Sequence, residues 1–249
     1  MITIDTETKL LDFVLMSRNN LIGDDINRMF ELMEQNYNCM DYDMFLYDLS
    51  KKNYVGVLYD HYRKIQGFTT FAINPKGTGT DDYGIIFSGD TIISPDYWGT
   101  MEMVRGWATS VGRIIASEPG KKWYWFLLSK GHRTYMYLPL FFNEYYPSAN
   151  GSLANPLLEI LETTAQRLYD GCYKQASGLI VFDRKMGELK SIHTQSTYEK
   201  QHKPHVKLFL RLNPNFHQGD ELVCLTHLHP DNMRGYAKKY MLEGMAQNL

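Results

Sequence analysis

The stretch that most constrains this chain runs over residues 83–117, YGIIFSGDTIISPDYWGTMEMVRGWATSVGRIIAS. Its apolar opening is broken by Ser88-Gly89-Asp90, resumes at Thr91-Ile92-Ile93, turns at residues 95–99 and then takes up helical spacing. The pattern predicts a strand, a tight turn and a helix whose N-terminus points back at the strand end. The unpaired N–H groups of such an end can hold phosphate or another anion. In a generic α/β domain the same pattern is only a connection.

The flanking text sets the context. An apolar run near residues 9–16 predicts a first strand, and Asp24 or Asp25 can cap the helix that follows, with Ile26, Met29, Phe30 and Met33 at helical spacing. A short helix is expected near 41–51, then strands at 54–59 and 65–73 joined by the polar turn 60–64 as an antiparallel hairpin. After the central strand and helix, residues 123–128 (WYWFLL) are apolar on both faces, as a central strand requires. Residues 132–144 read as an aromatic-rich helix that Pro139 should kink or stop. Residues 146–156 are a candidate boundary, followed by a helix through Leu157, Leu161, Ala165 and Leu168 and a short strand at 178–181. Residues 183–204 are polar and read as a surface excursion or lid. Strands are expected at 206–212 and 221–228, and a closing helix from 230 to about 245.

A length of 249 residues allows one large domain or one domain with an extension. A net charge of -2 provides no global field for nucleic acid or an anionic membrane, and no basic stripe interleaves the aromatics, so a nucleic-acid module is the weakest reading. Cys39, Cys172 and Cys224 lack metal-ligand spacing and suggest a reduced, cytoplasmic setting. The acidic residues of the first segment resemble neither a signal nor a transit peptide, and no run reaches the roughly 18 apolar residues of a membrane span. His227 and His229 share one face of a strand by alternation, a spacing used in some metal sites, but no strong carboxylate or cysteine partner lies nearby in sequence; no metal is expected. Gly77 and Gly79 form neither a P-loop nor a dinucleotide fingerprint.

The order of elements, with the text GDTIISPDYWG, resembles the Gcn5-related N-acetyltransferase (GNAT) superfamily over about residues 10–147. The family text P-x-Y-R-G-x-G-x-G is matched at Pro95, Tyr97 and Gly99; Trp98 stands where a basic residue is common, and Met101 and Met103 where glycines are common. The resemblance implies an α/β (α+β) fold with a mixed, mostly antiparallel sheet flanked by helices. Residues 1–147 would form the core, and 148–249 an extension completing the sheet and covering the pocket. It also implies transfer of an acyl group from acetyl-CoA, a longer acyl-CoA or an acyl carrier protein to a small-molecule amine by direct attack on the thioester. The donor's pantetheine would lie along Ile92 and Ile93, with Trp98, Gly99, Thr100 and Arg133 toward its phosphates. Methionines in the glycine positions narrow a diphosphate cradle and would suit a long acyl chain held through its pantetheine arm. They equally suit core packing. A homodimer is left open, and a catalytically degenerate binding or regulatory protein is the alternative.

Acyl transfer needs an oriented thioester, a deprotonated amine, a stabilised oxyanion and a proton for the thiolate. Asp90, at the middle of the central strand, is the candidate proton acceptor; a turn-stabilising carboxylate is the other reading. Tyr135 is the favoured acid for the thiolate, with Tyr137 beside it, and either can instead be a packed aromatic. His132 is a second candidate base. Lys130, His132 and Arg133 together read as an anion patch or a solvated helix entry.

Overall fold

The computed structural model describes residues 11–149, 155–183 and 187–247; the expected first-strand residues 9 and 10, residues 150–154 of the expected boundary and three residues of the polar stretch lie outside them. The described residues begin with β1 (Asp12–Ser17), α1 (Gly23–Asn36), a two-residue β2 (Tyr37–Asn38) and α2 (Tyr42–Ser50). Asp25 receives the Ile22 N–H at the head of α1, and Asp41 caps α2 by accepting from Met44 N at 2.8 Å. The hairpin β3 (Tyr54–Tyr59) and β4 (Ile65–Ile73) follows as expected. Its turn is tied by Asp60, whose carboxylate accepts from Tyr62 N, Lys64 N and Gln66 Nε2. Next come β5 (Tyr83–Ile93), α3 (Glu102–Ala116) and β6 (Lys122–Ser129).

The aromatic segment splits into α4 (His132–Tyr135) and α5 (Tyr137–Phe141). Pro139 cannot donate to the Tyr135 carbonyl, so the hydrogen-bond ladder breaks there. Then follow α6 (Asn155–Leu168), β7 (Tyr173–Lys174), β8 (Leu179–Ile180), β9 (Glu188–Leu189), α7 (Ser191–Glu199), α8 (Pro204–Leu212), β10 (Glu221–His227) and α9 (Gly235–Met245). One expectation is corrected. Residues 206–212 are helix, not strand: Pro204 starts the helix, Val206 and Phe209 are buried one turn apart, and Lys207 and Arg211 lie four apart. Nine residues were too few to separate a period of 2 from one of 3.6. The polar stretch is structured in part, because β9 pairs with β2 and α7 follows it.

Among the described residues eight strands form one sheet in the order β1-β3-β4-β5-β6-β10-β8-β7, antiparallel throughout except for the parallel pair β5 and β6. That pair is joined by α3, the crossover a parallel connection requires. β10 enters beside β6, so residues beyond 148 extend the same sheet. On one face, α1 and α2 bury Met29, Leu32 and Phe45 against Val55, Val57, Phe68 and Ile92, while α6 covers Ile85, Phe126 and Val223. On the other, α3, α5, α8 and α9 bury Val111, Leu138, Phe209 and Met241 against Phe71, Ile86, Trp125 and Cys224. Helices α3 and α9 touch backbone to backbone at Gly112 and Gly244, where a Cβ would lie 2.2 Å from the Met241 carbonyl oxygen and 2.1 Å from that of Thr109.

Candidate active site

The sheet opens at its centre. β5 and β6 are paired from Tyr83 with Lys122 to Ser88 with Leu127, and beyond that point they part. The cause lies in the Ser88-Gly89-Asp90 interruption. Phe71 opposes Ser88 but Thr69 opposes Thr91, so Gly89 and Asp90 together face the single residue Thr70. This is a β-bulge, which bends and twists its strand. Past it, Ser94 N donates to Gln66 O, so the alternating residues Thr91 and Ile93 turn their backbone groups to the edge that β6 has vacated. Trp98 Nε1 donates to the Ile93 carbonyl at 2.9 Å and anchors the following turn there.

On the α3 face, the opening leads into an apolar cleft. Its walls include Met103, Val104, Trp107, Trp125, Phe141 and Phe142, with Ser88, Thr91, Thr134 and Tyr137 as polar lining. Trp107 and Trp125 rings lie 4.3 Å apart, and Trp107 Nε1 donates to Ser88 Oγ at 3.0 Å. Burial raises the Tyr137 hydroxyl above its ordinary pKa despite the Arg133 charge, so it holds its proton at neutral pH.

On the α1/α2/α6 face lies Asp90. It retains partial solvent access, yet protein crowds its carboxyl. Burial first, then the negative charge of Asp48 and Glu221, push it up to about 6, against the pull of Lys52 and Lys130. The lysines are sequestered: Lys52 Nζ pairs with Asp48 at 2.9 Å and Lys130 Nζ with Glu221 at 3.1 Å. Lys52 Nζ also sits 4.8 Å over the Phe87 ring, and Lys130 Nζ 5.2 Å over the Tyr37 ring. Tyr37 and Tyr169 are both raised, mainly by burial and then by the carboxylates around Asp90, which marks a region of negative potential. A carboxyl whose pKa lies near neutrality can accept a proton and release it again.

The sequence-predicted residues are dispersed. Ile92 is core, packed with the α1/α2 cluster, while Ile93 packs with Phe13 and Tyr97 and offers its backbone to the open edge. Gly99 has φ +91°, a conformation that favours glycine in this turn. Thr100 Oγ1 accepts from Glu102 N, and Glu102 bonds Arg105, so the first turn of α3 already carries a hydroxyl and a carboxylate. Met103 is buried beside Leu11 and Leu58, and Met101 is exposed. Tyr135 is fully buried, its hydroxyl donating to the Pro147 carbonyl at 2.7 Å, and it does not line the cleft; Tyr137 does.

His132 is buried under α7, where its Nδ1 is 2.7 Å from Thr197 Oγ1, and burial followed by Lys200 and Arg133 brings it down to about 4. Arg133 lies over the Trp98 ring at 4.1 Å, and His193 of α7 meets the same ring at 5.4 Å. Thus Lys130, His132 and Arg133 point to three different places. His227 and His229 stack at 5.5 Å, and among the described residues no group of three or more His, Cys, Asp or Glu could hold a metal. The sequence reading missed Thr70, Tyr37, Tyr169, Lys52 and Glu221; only the i,i+4 spacing of Asp48 and Lys52 was visible in the text.

No family model matches the chain, and no curated protein does. Among solved structures it is similar to the GNAT family N-acetyltransferase YhbS of Escherichia coli in complex with CoA, at 13% identity over 49% of this chain and 64% of that one, with TM-score 0.36. The chain thus spans less than two thirds of that relative's length. ElaA of Escherichia coli is similar at 16% identity over 57% and 95% of the two chains, with TM-score 0.38. An aminoglycoside acetyltransferase from an uncultured soil metagenomic sample, in complex with sisomicin, matches at 14% identity over 58% and 92%, with TM-score 0.38.

Proposed function

We propose that this chain is an N-acyltransferase that moves an acyl group from a pantetheine thioester to an amine across the opening between β5 and β6. The observation that carries the reading is the juxtaposition at the bulge: an unpaired strand edge and apolar cleft on one face, and a carboxyl of pKa about 6 on the other. The pantetheine amides pair with the backbone of Thr91 and the N–H of Ile93, whose carbonyl is held by Trp98 Nε1, and the acyl chain enters the Trp107–Trp125 cleft. Asp90 takes a proton from the incoming ammonium, directly or through water. The free amine attacks the thioester carbon, and backbone N–H groups at the bulge hold the oxyanion. The carbon–sulfur bond then breaks as Tyr137 gives its proton to the thiolate; the nitrogen of the new amide sheds its second proton to solvent, and Tyr137 regains one from solvent.

The α3 end fits a diphosphate less well than the strand edge fits pantetheine, since its first turn is already engaged by the Thr100 hydroxyl and by Glu102 in its pair with Arg105. A donor gripped through its arm, as acyl-CoA or on an acyl carrier protein, suits this arrangement. Three free cysteines suit a reduced, cytoplasmic setting, and among the described residues no helix is long and apolar enough to cross a membrane. Native mass spectrometry of the purified chain, with titration of a panel of CoA thioesters and acyl carrier proteins, tests the reading and reports any homodimer. Saturable binding of one donor with acyl transfer to an amine supports it. A chain that binds no donor in the panel is the non-catalytic binding protein instead.

A further inference from the structure

The acyl acceptor's charge is written into the Asp90 face. The charges there are three carboxylates, Asp48, Asp90 and Glu221, and two ammoniums, Lys52 and Lys130. Each lysine is matched to a carboxylate other than Asp90, at 2.9 Å for Lys52–Asp48 and 3.1 Å for Lys130–Glu221. Among the described residues the Asp90 carboxylate makes no hydrogen bond or ion pair of its own. The cluster is therefore one positive charge short, and the missing charge belongs beside Asp90.

A second, independent group points to the same place. Thr70 opposes the bulge and is 1% exposed, and its Oγ1 has no partner among the described residues. A Cβ placed on Gly89 would lie 2.6 Å from that oxygen and 2.8 Å from Lys52 Nζ, so the hydroxyl sits at the bulge beside the cluster. A buried hydroxyl without a partner is costly, which makes it a ready acceptor for an N–H brought by a ligand. Tyr37 and Tyr169 both feel the charge of Asp90 and Glu221, so aromatic rings border the same region. The carboxylate and the unpaired hydroxyl together recognise an alkylammonium.

We infer that the acceptor is a cationic alkylamine with no carboxylate near its reacting nitrogen, and that α-amino acids and ω-amino acids are discriminated against. Asp90 is the counter-ion and Thr70 Oγ1 accepts one ammonium N–H. A substrate carboxylate would have no unmatched cation to meet and would face the unmatched like charge of Asp90. This deepens the transferase reading and rests on it for calling the amine an acceptor.

The test is calorimetric titration of the full chain at pH 7.5, without donor, with 1,4-diaminobutane, butylamine, 4-aminobutanoate and glycine. We expect the two carboxylate-free amines to bind at least about tenfold more tightly than 4-aminobutanoate, because a charge-assisted hydrogen bond is gained in one case and a like-charge contact in the other. Asp90→Asn should lose about tenfold or more in affinity for butylamine, and Thr70→Val several-fold, each with an unchanged far-ultraviolet spectrum. Equal or tighter binding of 4-aminobutanoate or glycine overturns the inference, as does the absence of any amine binding to the native chain. Failure of the transferase reading shows differently: the amine preference persists while no thioester binds. Transfer to amino acids in preference to simple amines would sink the inference and leave the transferase standing.

Discussion

Replacing Asp90 with Asn should make the protein more stable at neutral pH while removing activity. Asp90 is raised from 3.8 to about 6, chiefly by burial and then by Asp48. The sign follows from proton binding. A carboxyl that binds its proton more tightly in the folded than in the unfolded chain contributes nothing below the unfolded value and becomes destabilising as pH rises through the folded one. About two pKa units at ~1.4 kcal/mol each give roughly 3 kcal/mol of destabilisation above pH 7. Asn is neutral and nearly isosteric, so Asp90→Asn should recover up to about 3 kcal/mol, or ~6–12 °C in Tm for a chain of this length. The gain should shrink to about a third at pH 4.5 and vanish near pH 3. Thermal unfolding of both proteins across that range reads the difference directly. Acyl transfer is the companion assay: kcat/KM of the native chain should fall about tenfold per pH unit below pH 6, and the variant should lack both this dependence and most of its turnover. A variant that melts at or below the native temperature at pH 7.5 would refute the argument, because Asp90 would then hold a favourable ion pair rather than an unmatched charge.

Two neighbouring tyrosines should separate cleanly. Tyr137→Phe should lower kcat with little change in donor affinity, whereas Tyr135→Phe strands the Pro147 carbonyl and should cost about 1–3 kcal/mol in urea unfolding with kcat retained. The α7 strap should loosen in acid. His132 and His193 are both brought down to about 4, first by burial and then by Lys200 and Arg133 for His132 and by Arg133 and Lys190 for His193. Their neutral forms favour the docked strap, so amide protection over residues 191–199 should decline from pH 6.5 toward 4, and constant protection would contradict this. Gly244→Ala should destabilise by about 3 kcal/mol or more in the same urea assay, because its Cβ meets the Thr109 carbonyl at 2.1 Å, and an unchanged midpoint would show that the two helices can separate.

Elements whose signals are local follow from the order of residues alone. The hairpin of β3 and β4, the strand–turn–helix through β5 and α3, the apolar β6 and the stop imposed by Pro139 all follow from periodicity, turn residues and one missing N–H. Asp90 stood out for the same reason, as the carboxylate within a strand of apolar residues, although a turn-stabilising role was the other reading of the text. The helix over residues 204–212 was not legible, because V-K-L-F-L-R-L fits both periods and only its burial against Tyr135 and Phe216 decides between them. Tertiary structure alone decided what surrounds Asp90. Lys52 arrives from the end of α2, Tyr37 from the end of α1, Lys130 from the end of β6, Tyr169 from just past α6, and Glu221 from β10. It also decided which tyrosine reaches the cleft, for two residues along a broken helix turn Tyr135 into the core and Tyr137 toward the opening. The physical reason is that a strand or helix period is fixed by neighbours in the chain. The charge balance and pKa of a group are fixed by neighbours in space, here separated by up to 184 positions, from Tyr37 to Glu221.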